Sequence, residues 1–294
     1  ANLAIHDIIL TDPQNFKDPQ AYSAGNFRAQ LDHYHMEAQK SMYKLNIRRL
    51  VLDSKEKEFI ADSIVLIPRY GKYEFSRRVG KQIDRFILRT PKVAITGLDL
   101  SRVRDSIITA SRLEINNTNL HVFRDKRLPF IKDHNTPLPV AMIRTLPFGF
   151  AIDTIALNDT NITYEEFPEK GFETGYIIFD ELNARLDHIT NRPLYPGVRQ
   201  AVLRVNSHVM KNGIIKVDFT LPYDEPQLYN AKGRISNLSL PGLNSMFESL
   251  AFVRIESGRL NALDFDFDYN DIASEGNLVL NYENLKLAGL KKEK

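Results

Sequence analysis

Three groups of residues have the types and spacings from which chemistry is usually built. Asp264, Asp266 and Asp268, with Glu275, stand at positions 1, 3, 5 and 12 of a calcium loop. The sixth position of such a loop takes glycine for its sharp turn, and here it is Tyr269. Phe265 and Phe267 alternate with these acids, which fits the solvated face of a strand better than a metal loop. His33 and His35 would project from one side of a strand, a spacing able to hold a metal, but no third ligand lies nearby in the sequence. The third group is the basic run 68–92, with Arg69, Lys72, Arg77, Arg78, Lys81 and Arg85 set against only Glu74 and Asp84. Tyr70, Tyr73 and Phe75 are interleaved with it, a composition suited to phosphate head groups or simply to a solvated face. The other histidines are scattered, and no G-x-S-x-G nucleophile turn is present. The reading is therefore of no catalytic residue, no metal and no cofactor.

The elements that must position these residues are strands. Within 254–287, Leu263, Phe265, Phe267 and Tyr269 alternate with Asp264, Asp266, Asp268 and Asn270, so one face is apolar and the other acidic. A polar turn is expected at 272–276. Leu278, Leu280 and Tyr282 then alternate in a second strand that can lie beside the first, and Leu285 and Leu287 extend the apolar wall.

The same habit recurs along the chain as apolar residues at i, i+2, i+5 and i+7. The copies begin at Leu3, Leu45, Phe59, Val93, Phe150, Ile177 and Leu280, with weaker ones at Leu113 and Gly233. On a helix the four positions would scatter to roughly 0°, 200°, 140° and 340°. On a strand they are two alternating segments separated by one extra residue. Each copy is thus read as a strand that bends while keeping one face apolar.

Composition narrows the classes of function. A net charge of +2 argues against a nucleic-acid binder. The absence of cysteine removes thiol catalysis, disulfides and thiolate metal sites. No apolar run reaches the length of a membrane span. The chain opens at Ala1 without methionine and already within an apolar pattern, which reads as an excised or processed piece, so a missing anchor here says nothing about the full-length protein. Turn signals such as Asp12-Pro13, Gly97, Asn116-Asn117 and Asn212-Gly213 punctuate many short strands. The least strand-like stretch, 124–147, carries four prolines and divides an N-terminal β-repeat segment (1–123) from a C-terminal one (148–294), unless one sheet runs through both. Helices are expected at 241–250, with Leu243, Phe247 and Leu250 on one face, and near 77–86.

Residues 233–287 resemble the C-terminal region of AsmA-like proteins of the Gram-negative envelope, relatives of TamB-like and YhdP-like proteins. The resemblance rests on the turn Ser257-Gly258-Arg259-Leu260, the aromatic–acidic strand after it, and the strand from Gly276 to Leu287. Residues 45–68 resemble the repeating strands of that superfamily. The resemblance implies a mainly β fold: a curved, repeated antiparallel sheet forming an elongated groove or sandwich-like layer, with a few short helices. It further implies a periplasmic protein that is not an enzyme, anchored at the inner membrane by segments missing here. Its apolar face would carry the acyl chains of phospholipid or another lipid. Phe265, Phe267, Tyr269, Leu278, Leu280, Tyr282, Leu285 and Leu287 would then face lipid, and the basic patch would meet head groups. Two rivals stand beside this reading: a scaffold whose apolar face is covered by its own second layer, and a hydrolase of envelope glycan or lipid.

Overall fold

A computed structural model of the chain describes residues 2–6, 27–38, 42–131, 146–223, 228–270 and 272–290. Fourteen strands among them form one sheet. They are β1 (Asn2–His6), β2 (Arg28–Ala38), β3 (Tyr43–Asp53), β4 (Glu58–Pro68), β5 (Asp84–Thr96), β6 (Ile107–Asn116) and β7 (Asn119–Asp125). Then follow β8 (Gly149–Phe167), β9 (Gly175–Thr190), β10 (Gln200–Val209), β11 (Gly213–Pro222), β12 (Tyr229–Ser239), β13 (Val253–Tyr269) and β14 (Ser274–Gly289). They occupy thirteen positions, because β6 and β7 lie end to end in one slot between β5 and β8. Neighbours are antiparallel throughout except at that slot, where β6 and β7 run parallel to β8.

That exception accounts for the proline-rich connection. A parallel neighbour requires the chain to return along the full strand length before pairing again, and no tight turn can do this. Of the connection, 132–145 lies outside the described residues. The hydrogen-bonded ladder continues across it, so the segments on either side share one sheet.

The bends expected from the repeat are seen as a crease across the sheet. His33, Ser63, Asn117, Asp159, Glu181, Asn237 and Asn284 have left-handed backbones, with φ between 50° and 58°. Arg48 and Pro91 lie at the same level and drop out of the pairing. Arg48, Ser63, Asn117, Glu181, Asn237 and Asn284 each lie between the second and third apolar positions of a copy, those beginning at Leu45, Phe59, Leu113, Ile177, Gly233 and Leu280, whereas His33, Pro91 and Asp159 lie outside the copies. One such residue shifts the alternation by a half-step, so the apolar side chains on both sides of it keep to the same face. The copy at Phe150 bends at Asp153, a second lapse of pairing beside His188. The copy at Val93 runs instead off the end of β5 at Gly97, and in the copy at Leu3 the positions of Ile8 and Leu10 fall outside the described residues.

Two short helices lie at the same margin of the sheet. α1 (Lys72–Val79) follows β4, and α2 (Asn244–Ala251) follows β12 after a turn of 3-10 helix. Both differ from the sequence reading. Residues after Gly80 leave the helix because Gly80 caps it in a left-handed conformation, and β5 begins at Asp84. α2 docks through its polar side: Ser249 Oγ donates to the Glu173 carbonyl at 2.7 Å, and Ser245 Oγ accepts from Tyr176 N at 3.0 Å. Leu243 packs beneath the sheet's apolar side chains, while Phe247 and Leu250 remain exposed.

Candidate functional site

Following residues across the ladder shows what the repeat builds. Leu31, Leu50, Ala61, Val93, Ile115, Leu157, Ala184, Val205, Val217, Gly233, Phe265 and Leu278 stand opposite one another from β2 to β14. Beyond the crease a second row runs through Met36, Leu45, Leu66, Leu88, Leu120, Ile162, Phe179 and Val209. One face of the sheet is therefore lined by apolar residues from β2 to β14. Its larger side chains are mostly half-buried. Full burial of larger side chains on this face occurs in two clusters, one around Ile189, Ala201, Leu221 and Tyr229, the other around Val209, Leu238 and Leu260, and at Tyr43 and Ile255 near the helix-bearing margin. A second layer packed on the face would have buried these rows throughout.

The eight residues expected to face lipid lie at one end of this surface, on β13 and β14. Phe265 stacks on Phe267 with ring centres 6.0 Å apart, and Leu278 stands opposite Phe265. Tyr269 tilts against Tyr229 at 5.6 Å and joins the first cluster. Leu280, Tyr282 and Leu287 stand opposite Leu263, Leu260 and Ile255, and Leu285 passes over Gly258, where a Cβ would meet its Cα at 3.2 Å. The turn between the strands is earlier than expected. Asn270 Oδ1 accepts from the backbone of Ile272 and Ala273, and the pairing resumes at Ser274. Gly276 lies inside the ladder under Phe267, where a Cβ would come within 2.5 Å of the ring. Sequence reasoning confined the wall to this hairpin. Of the residues it missed, Ile47, Leu50, Ile64 and Leu66 carry the same signal in the upstream repeat copies, while Leu88 and Ile162 lie outside any copy.

The opposite face carries charge. Arg204, Asp218, Lys232 and Asp266 alternate in sign across four strands. Arg234 grips Asp264 with two hydrogen bonds of 2.6 and 2.9 Å, and Lys232 Nζ lies 2.8 Å from Asp266. These cations hold both carboxyls below the usual carboxylate range. Asp264 and Asp266 of the calcium-like pattern are therefore rungs of a cross-strand ladder of ion pairs, while Asp268 accepts from the Asn230 amide and stands opposite Glu275. His33 sits at the crease, out of the pairing, while His35 Nδ1 lies 2.6 Å from Asn46 Oδ1. No group of three metal-ligating side chains occurs among the described residues.

The basic run is split among separate partners. Lys72 pairs with Glu165 and lies over the Phe123 ring; Arg78 bonds Glu74 at 2.8 Å and covers the Tyr70 ring. Arg69 approaches Glu37 at 3.6 Å, and Arg85 donates to the Tyr70 carbonyl. Arg77 is exposed on α1, and Lys81 follows that helix half-buried. Glu74 lies within the run itself, but Glu165 and Glu37 come from distant strands, which no local reading of charge can supply.

A polar network on the apolar face escaped the sequence reading. Arg124 forks onto Asp84 at 2.7 and 2.5 Å, Tyr164 donates to Glu166 at 2.6 Å, and Lys126 Nζ reaches the same buried carboxylate at 2.8 Å. Burial and Glu166 together push the Tyr164 hydroxyl well above its ordinary value, so it stays a donor. The network closes the apolar face at its helix-bearing margin beside β7 and β8. It pairs two cations with two carboxylates around one phenol. No protein-family model matches this chain, and no curated protein does.

Proposed function

We propose that this chain is a non-enzymatic lipid carrier of the Gram-negative envelope, an AsmA-like β-sheet that holds acyl chains on its apolar face. The observation that carries the reading is the continuous apolar surface running from β2 to β14 with its larger side chains half-exposed. A water-facing apolar surface of this extent costs free energy unless something apolar covers it. An acyl chain is a suitable cover, since each buried methylene contributes about 0.8 kcal/mol and needs no polar partner. The polar network at the margin and the ion-pair ladder on the reverse side leave one face for lipid and one for water. The periplasm, between inner and outer membranes, is where such a carrier would work, anchored through segments outside this chain.

The test is organic extraction of the purified protein followed by mass spectrometry. Bound phospholipid, present at a fixed ratio to protein after size-exclusion chromatography, is the expected result. A protein free of lipid that also excludes an added fluorescent fatty acid would favour the scaffold reading.

A further inference from the structure

Among the described residues the apolar face ends at β14, and so does the ladder of backbone hydrogen bonds. β14 pairs with β13 on one side only, and its residues 274–287 are all exposed. Leu278, Val279, Leu280, Tyr282, Leu285 and Leu287 lie along this edge, and no proline or inward-pointing charge guards it. Natural sheets seldom leave an edge this long and apolar unprotected, because it is a template for another strand.

The charges on the reverse face say which strand fits. Arg259 stands opposite Glu283, and Lys286 Nζ lies 2.6 Å from Glu256. Signs alternate outward to the edge at both places, as they do from Arg204 to Asp266. A strand added beyond β14 would continue the alternation with a cation beside Glu283 and an acid beside Lys286. β14 itself, run antiparallel, supplies both.

We propose that β14 pairs with β14 of a second copy of this chain about a two-fold axis between Asn284 and Leu285. Glu283 of each copy then faces Lys286 of the other. Tyr282 of each faces Leu287 of the other, so apolar residues stay on one side and charges on the reverse. A slip of one residue would set apolar residues against charged ones, and a slip of two would separate the charges. The two crease residues, Asn284 of each copy, lie next to one another across the axis, which keeps the bend continuous. Two apolar faces thereby become one of twice the width, whatever that face carries.

Sedimentation equilibrium of the full chain should give a concentration-dependent mass rising from 33.8 kDa to twice that value. Glu283→Lys places lysine against lysine twice and should weaken the dimer about tenfold. The double variant E283K/K286E should restore it. Because the chain has no cysteine, Leu285→Cys gives a thiol only beside the axis. Its two copies, with Cα atoms about 6 Å apart, should oxidise to a covalent dimer. Leu285→Cys also keeps both charges, so it reads the pairing even if a charge variant fails to fold. A mass of one chain at every concentration overturns the proposal, as does a dimer indifferent to Glu283→Lys or one that Leu285→Cys does not cross-link.

Discussion

Phe267→Asp separates an open apolar face from a covered one. The Phe267 ring is half-buried, stacked on Phe265, opposite Ala231 and Gly276 in the ladder. A phenylalanine buries on the order of 200 Å² when fully enclosed. Half of that, at about 25 cal/mol per Å², is roughly 2.5 kcal/mol of lost burial. The new carboxylate would reach water on the open face, so it adds little desolvation cost. Under a closed second layer the same carboxylate would be stranded, and several further kcal/mol would be lost. Circular dichroism with urea titration measures the fold, and lipid extraction of the same preparation measures occupancy. The expected result is a folded protein, destabilised by about 2–3 kcal/mol, with much less bound lipid. Loss of the folded state would refute the open face at this position, and a folded variant with undiminished lipid would refute contact between Phe267 and the acyl chain.

Gly233→Ala should cost about 1–3 kcal/mol in denaturant unfolding, because its Cβ would meet the Lys216 carbonyl oxygen and Phe265 Cζ at 2.6 Å in an interior strand. Asp125 gives an acid limb to stability. Burial raises its carboxyl, but hydrogen bonds from the Arg127 side chain and backbone outweigh this and hold it below the ordinary range. Its contribution is therefore present above about pH 4 and lost as pH falls through the depressed value. Thermal melts at decreasing pH should show this loss, and Asp125→Asn should flatten part of it. Removing divalent cations with EDTA should leave the melting temperature unchanged, and a fall of several degrees would show a metal site that the ion-pair assignments of Asp264 and Asp266 do not accommodate.

The outcome at particular residues shows why some features were legible in advance. The spacing Phe59-Ala61-Ile64-Leu66 predicted a bend, and the bend is at Ser63, because preserving one apolar face across a half-step requires an extra residue there. Leu263, Phe265 and Phe267 could be placed on one face by alternation alone, since that follows from the pleat of a single strand. The same locality explains the errors. α1 was set too far along because Gly80 acts by its backbone conformation, and Phe247 faces water because two serines, and not the apolar stripe, find partners on β9 and in the turn just before it. By itself the sequence determined the β class, the bends and which side of each strand is apolar, all set by neighbours within a few residues. Only the tertiary structure decided that β6 and β7 share a slot parallel to β8, that Lys72 meets Glu165 and Arg124 meets Asp84, and that the strand faces join into one surface. Those outcomes depend on pairing between residues far apart in the chain, where many registers satisfy the same local pattern and only the assembled sheet selects among them.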